Sequence, residues 1–142
     1  MPVRWPFVLR VKVPWRDLDA AGHVNNAVYF SYMETARTEL HLALVGGARW
    51  QDLDIILARA ACDFRSPATF GETLEVRVRP LRVGASSYAL GYEIVEERSG
   101  RLVAQGESVQ VMFDYGRNEK KAVPAALREA LASGTEGAPT AA

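Results

Sequence analysis

Two periodicities divide this chain. Phe7, Leu9, Val11 and Val13 alternate with Val8, Arg10 and Lys12, the period of a half-buried strand that ends at Pro14. Ile55 to Phe64 (IILARAACDF) reads as a second strand, ended by Ser66-Pro67. Leu74, Val76 and Val78 alternate with Thr73, Glu75, Arg77 and Arg79 in a third that continues to about Val83, before Gly84 breaks it. Tyr88, Leu90, Tyr92 and Ile94 make one face of a fourth, and Arg98-Ser99-Gly100 is a hairpin turn into Leu102 to Asp114. On that fifth strand Val103, Val109, Val111 and Phe113 form the apolar side, and the small residues Ala104, Gly106 and Ser108 on the other allow close packing.

The other period is helical. Tyr29, Met33, Ala36, Leu40 and Ala43 follow one another at spacings of four and three, and Tyr32, Leu42 and Leu44 widen the apolar surface, so the helix is largely enclosed. Asn25 or Asn26 caps its start and Gly46-Gly47 stops it. Pro124 opens a short C-terminal helix, PAALREAL. Residues 1–132 form one domain, and 133–142 (SGTEGAPTAA) form a mobile tail without large apolar residues. One strand, a long helix and four strands in hairpin succession predict an α+β fold, a five-stranded antiparallel sheet wrapped around a central helix. Its long unpaired edges favour pairing with a second copy.

Composition narrows the function classes. Lys plus Arg and Asp plus Glu number 17 each, so there is no global field to attract nucleic acid or an anionic membrane. The single Cys62 excludes an internal disulfide and a multi-Cys metal site and suits a reducing compartment, the cytoplasm. No apolar run reaches signal-peptide or membrane-span length. His23 and His41, separated by the helix, make no metal-ligand set, and neither a G-x-S-x-G elbow nor a nucleotide-binding glycine motif is present.

The candidate chemistry sits where the periodicity fails, between the first strand and the helix. Asp19 precedes Ala20, Ala21 and Gly22, small residues that let the backbone turn sharply near a ligand. Asp19 either bonds the amides of its own turn or serves as a base, and burial beside Tyr29 and Trp15 would raise its pKa toward that use. Asp17 orders the loop or pairs with Arg16 or Arg37. His23 is by residue type a candidate for acid-base work, as a secondary participant or a scaffold residue. Asn25 and Asn26 cap the helix, orient water, or both, and Glu34 with Arg37 forms an intrahelical pair. Cys62 is a packing residue.

The order Trp15, Asp17, Asp19, Gly22, Val24, Tyr29, Tyr32, Glu34, Ala36, Arg37 is similar to the D-x-D-x-x-G-x-V and Y-x-x-Y-x-E-x-A-R pattern of the 4-hydroxybenzoyl-CoA thioesterase-like group of hotdog-fold acyl-CoA thioesterases. The likeness extends to DFRSPATFGETLEV, VGASSYALGYEI and GRLVAQGESVQVMFD, covering about residues 7 to 131. It implies hydrolysis of an acyl-CoA to free acid and coenzyme A, with Asp19 catalytic and the backbone N–H of Asn26 polarising the thioester carbonyl. No cofactor is implied beyond the coenzyme A of the substrate, and the assembly implied is a homodimer or homotetramer with sites near the subunit interface. The HVNN sequence after the glycine is also seen in relatives that cleave fatty acyl thioesters, which leaves the acyl group open. Arg65, Arg82, Arg117, Lys120 and Lys121 are candidates for the coenzyme A phosphates, and Ser66 and Ser87 for pantetheine contacts, beside plain roles as solvated charge, turn or strand polarity.

Two other readings compete. A hotdog 3-hydroxyacyl-thioester dehydratase or enoyl hydratase would need His23 with Glu34 or Asp19, and a non-catalytic acyl-thioester binding module would keep the loop for contact alone. Release of free thiol distinguishes hydrolysis from both.

Overall fold

The computed structural model describes residues 3–135. Strand β1 (Phe7–Lys12) leads through a 3-10 turn at Trp15–Asp17 to helix α1 (Asn26–Val45). A second 3-10 turn at Trp50–Asp52 precedes β2 (Ile55–Phe64), β3 (Thr73–Val83), β4 (Ser87–Glu96) and β5 (Leu102–Asp114). A two-residue β6 (Glu119–Lys120) pairs with β5, and α2 (Ala125–Thr135) follows. The five long strands are antiparallel in the order β1-β3-β4-β5-β2, so β1 and β2 are the edges. The sequence predicts all five; β6 is too short to leave a periodic trace.

The core lies between one face of the sheet and α1. Tyr29, Met33, Ala36 and Leu40 are buried against Leu74, Val76, Val78, Leu90, Ile94 and Met112. Each fully buried large side chain contributes roughly 1.5–3 kcal/mol of transfer free energy. The helical stripe is shorter than expected, because Ala43 is exposed while His41 and Arg37 turn inward. Gly46 ends the helix at φ +70°, the left-handed conformation that glycine adopts without a Cβ penalty.

The expected polarity of β5 is reversed. Ala104, Ser108, Gln110 and Met112 face the core, whereas Val109 and Val111 are only half-buried. Space decides this at Gly106. A Cβ on Gly106 would lie 2.7 Å from the Ala61 carbonyl and 3.0 Å from Met33 Sδ, so the strand passes under α1 at that point without a side chain. Val103 is the exception, buried in the core cluster at the register shift between β4 and β5.

Helix α2 continues past residue 132. Ser133 to Thr135 form the last turn of α2, where Ser133 Oγ accepts a bond from Trp5 Nε1 at 3.2 Å and Gly134 is buried against Pro80 and Trp5. The rest of the expected tail, 136–142, lies outside the described residues. Among the described residues no helix is long and apolar enough to cross a membrane.

Candidate active site

The Asp19 loop is a small hairpin held at both ends. Leu18 and Val24 form an isolated antiparallel bridge, and Asp19 N–H donates to the His23 carbonyl at 2.9 Å. Gly22 closes the turn by donating to the Asp19 carbonyl at 3.0 Å, with φ at +79°, which side-chain-bearing residues rarely adopt. Asn25 N–H donates to the Asp17 carbonyl at 3.0 Å. The connection between β2 and β3 braces the hairpin from outside: Val24 N–H donates to Ala68 O at 2.9 Å and Thr69 Oγ1 to Gly22 O at 3.0 Å.

Immediately beyond the hairpin, α1 begins. Asn25 is its N-cap, with Oδ1 accepting the Ala27 N–H at 2.9 Å. The Asn26 N–H has no hydrogen-bond partner among the described residues, so an open donor stands at the positive end of a 20-residue helix.

A cavity of about 300 Å³ joins these parts, lined by Asp19, His23, Val24, Asn26, Tyr29, Phe64, Arg65, Ser66 and Pro67. Asp19, Asn26, His23, Tyr29, Arg65 and Ser66, separate candidates in the sequence, meet here. Ser87 does not: with Arg82, Gly84 and Tyr88 it lines a second cavity of about 140 Å³ at the β3–β4 hairpin.

The individual roles are specific. Asp19 Oδ1 accepts the Ala21 N–H at 2.9 Å, so the turn uses one carboxylate oxygen while the side chain still lines the cavity. The burial expected around it is not present in the single chain, since Asp19 is exposed and Trp15 stacks edge-on against Phe70 while itself 73% exposed. Asp17 pairs with neither Arg16 nor Arg37; its Oδ2 accepts the Tyr32 hydroxyl at 2.6 Å. Burial, more than the Ala68 amide offsets, pushes the Tyr29 phenol up, and its ring packs 5.6 Å from Phe64 across the cavity. Ser66 Oγ donates to the Leu102 carbonyl at 2.7 Å and Arg65 Nε to Gln105 Oε1 at 3.2 Å. Of the other cations, Lys121 is held by Asp54 at 2.6 Å and Arg117 lies 3.8 Å from Glu119. Burial raises the Cys62 thiol, as befits a packing residue.

Glu34 and Arg37 do approach, but at 4.0 Å, with Glu34 in solvent and Arg37 interior. Arg37 heads a buried polar chain: Nη1 donates to Tyr92 Oη at 3.3 Å, Tyr92 Oη meets Ser108 Oγ at 2.6 Å, and Ser108 bonds Gln110. A second buried group, His41 with Tyr88 and Asp54, lies farther along α1. Residue type hides both, because these polar side chains sit at core-facing helical spacings. Phe64 and Pro67, at and beyond the end of β2, also escaped, since nothing local marks a strand end as a cavity wall. Among the described residues no group of three His, Cys, Asp or Glu side chains is arranged to hold a metal.

A curled antiparallel sheet around one helix, with an acidic hairpin facing that helix's N-terminus, is the hotdog architecture. The chain belongs to the thioesterase-like superfamily, whose family model matches residues 13–131. A thioesterase from Thermus thermophilus, solved in complex with coenzyme A and Zn, superposes with a TM-score of 0.81 at 32% identity, covering 93% of this chain and 96% of that one. The long-chain acyl-CoA thioesterase FadM of Escherichia coli is 26% identical over 86% of this chain and 94% of its own length. The 1,4-dihydroxy-2-naphthoyl-CoA hydrolase of Synechocystis is 26% identical over 88% and 94%.

Proposed function

We propose that this protein hydrolyses acyl-CoA thioesters to a free acid and coenzyme A, without a cofactor. The observation that carries this reading is the shared cavity of Asp19 and the uncapped Asn26 amide at the start of α1. The thioester oxygen points at that amide, which stabilises the charge developing there; one such donor is typically worth about a hundredfold to a thousandfold in turnover. Asp19 attacks the carbonyl carbon directly or takes a proton from the attacking water. The carbon–sulfur bond then breaks and coenzyme A leaves as its thiolate, which takes up the proton held by Asp19 when Asp19 is the base, or one from water when Asp19 is the nucleophile. When Asp19 is the nucleophile, water hydrolyses the resulting anhydride and releases the same acid. His23 is a secondary acid-base group lining the same cavity, which Arg65 and Ser66 also line.

The working form we infer is a homodimer or higher homo-oligomer. Edge strand β2 offers an unpaired backbone with exposed Ile56, Leu57 and Phe64, and Phe64 is itself a cavity residue. A partner across that edge would cover the open side of the cavity and supply the enclosure that Asp19 lacks in one chain. A free thiol at Cys62 suits the cytoplasm.

The test is thiol release from short, medium, long and aromatic acyl-CoAs by wild type and Asp19→Asn. Turnover by the wild type that disappears in the variant, with an unchanged melt, is expected. No thiol from any substrate overturns hydrolysis, and full turnover by Asp19→Asn overturns the role of Asp19.

A further inference from the structure

The Asp19 carboxylate touches only its own turn, so its placement against the helix must come from elsewhere. Asp17 makes the link. Its carbonyl accepts the N–H of the N-cap residue Asn25 at 3.0 Å, and its Oδ2 accepts the hydroxyl of Tyr32, in the second turn of α1, at 2.6 Å. Main chain and side chain of one residue therefore grip the same helix at two levels. The ring Asp17–Tyr32–α1–Asn25–Asp17 is closed, and Asp19 lies two residues beyond it. From these contacts we propose that Tyr32 is a positioning residue for the thioester reaction, holding Asp19 through Asp17 at a set distance from the Asn26 amide.

The supporting geometry is rigid on the helix side. Tyr32 is 7% exposed and its ring meets Tyr29 edge-on, centroids 6.2 Å apart, while Tyr29 is wedged against Phe64. The phenol is pushed well above its ordinary range, by burial first and then by the bond to Asp17, so it keeps its proton and remains the donor. The hairpin side has no comparable anchor. Asp19, Ala20, Ala21, Gly22 and His23 are all exposed, and their external contacts are backbone bonds plus the Thr69 hydroxyl. The Tyr32–Asp17 bond is the side-chain tether from the base of the hairpin to the body of the helix; cutting it loosens that register, and a displacement of about 1 Å between reacting groups costs on the order of a hundredfold. Tyr32 lines neither described cavity, so its influence passes through Asp17 rather than through substrate.

The inference rests on the reading of Asp19 given above, and the experiment separates the two. Tyr32→Phe, Asp17→Ala, their double variant and Asp17→Asn are compared with wild type and Asp19→Asn for kcat and KM. In parallel, amide hydrogen exchange is followed at Asp19 and Asn25, whose N–H groups are bonded within the hairpin and to Asp17. Tyr32→Phe and Asp17→Ala are each expected to lower kcat about ten- to a hundredfold with KM within about twofold. The double variant should be no worse than the more impaired single, because both cut one tether. Asp17→Asn, which still accepts the hydroxyl, should recover most of kcat. Exchange at Asp19 and Asn25 should accelerate in Tyr32→Phe while Ala36 and Leu40 in the helix interior stay protected. Unchanged kcat and exchange in Tyr32→Phe, multiplicative losses in the double variant, or Asp17→Asn as poor as Asp17→Ala would each overturn the proposal. Full turnover by Asp19→Asn would overturn the underlying role of Asp19 instead, and the exchange measurement reads the tether without any substrate.

Discussion

His41 Nε2, on the fully buried face of α1, lies 2.6 Å from Asp54 Oδ1 in the connection that leads into β2. The other ring nitrogen meets Tyr88 Oη on β4 at 2.7 Å, and Asp54 Oδ2 meets Lys121 Nζ, just past β6, at 2.6 Å. Four segments distant in sequence are thus tied at one point. Burial pushes Asp54 up, but the bonds from Lys121 and His41 and their charges outweigh it, and the carboxyl sits below its ordinary value. A depressed carboxyl contributes stability above its unfolded pKa, near 4, and loses it as pH falls through the folded value. Asp54→Ala should therefore cost about 1–3 kcal/mol at neutral pH by leaving the His41 ring nitrogen buried and unpaired. The gap from wild type should narrow below about pH 4. Melts across that range decide it, and a gap that stays constant in acid counts against the Asp54 ionisation.

Gly106→Ala places a methyl within 2.7 Å of the Ala61 carbonyl, a backbone atom that cannot step aside. Met33 can adjust, but β2 and β5 must separate. A loss of about 1–3 kcal/mol in urea unfolding is expected; a neutral substitution would mean the two strands have slack there.

Asn25→Ala removes the oxygen that caps the Ala27 amide. Helix capping of this type is worth about 1 kcal/mol, and fraying of the first turn would also disturb the Asn26 donor. The expected result is a lowered melt together with a reduced kcat, both largely restored by Asn25→Ser. Intact turnover in the alanine variant would argue that the carbonyl oxygen is held elsewhere.

Leu57→Lys puts a charge on the exposed side of the β2 edge, the usual protection against edge pairing. Light scattering is expected to show an oligomer for wild type and a monomer for the variant, with activity falling in parallel as the cavity loses its cover. A wild type that is already monomeric at assay concentration would remove the proposed assembly.

Much of this was legible in the residues. The strands announce themselves because alternate side chains of a half-buried strand face opposite environments, so β1, β3 and β4 carry the pattern in their own composition. Asn25 and Gly46 mark the ends of α1 by local chemistry that needs no partner. The site was partly legible for the same reason, since Asp19, Gly22, His23 and the two asparagines are neighbours in sequence.

What composition alone cannot convey is which face of an ambiguous element looks inward. The valines of β5 suggest a core that the structure instead lines with Ala104, Ser108 and Gln110, the two polar side chains being satisfied by the Tyr92 hydroxyl and the Tyr88 carbonyl. Asp17 seeks a phenol fifteen residues away rather than a nearby arginine, and His41 and Arg37 are buried because partners on other strands satisfy them. The sequence by itself determined the elements, their order and the acidic turn, since periodicity, capping and turn chemistry act over a few residues. Only the tertiary structure decided the cavity shared by Asp19, Asn26 and Phe64, the Tyr32 tether and the buried polar chains. Those depend on distances between chain segments, set by packing around α1.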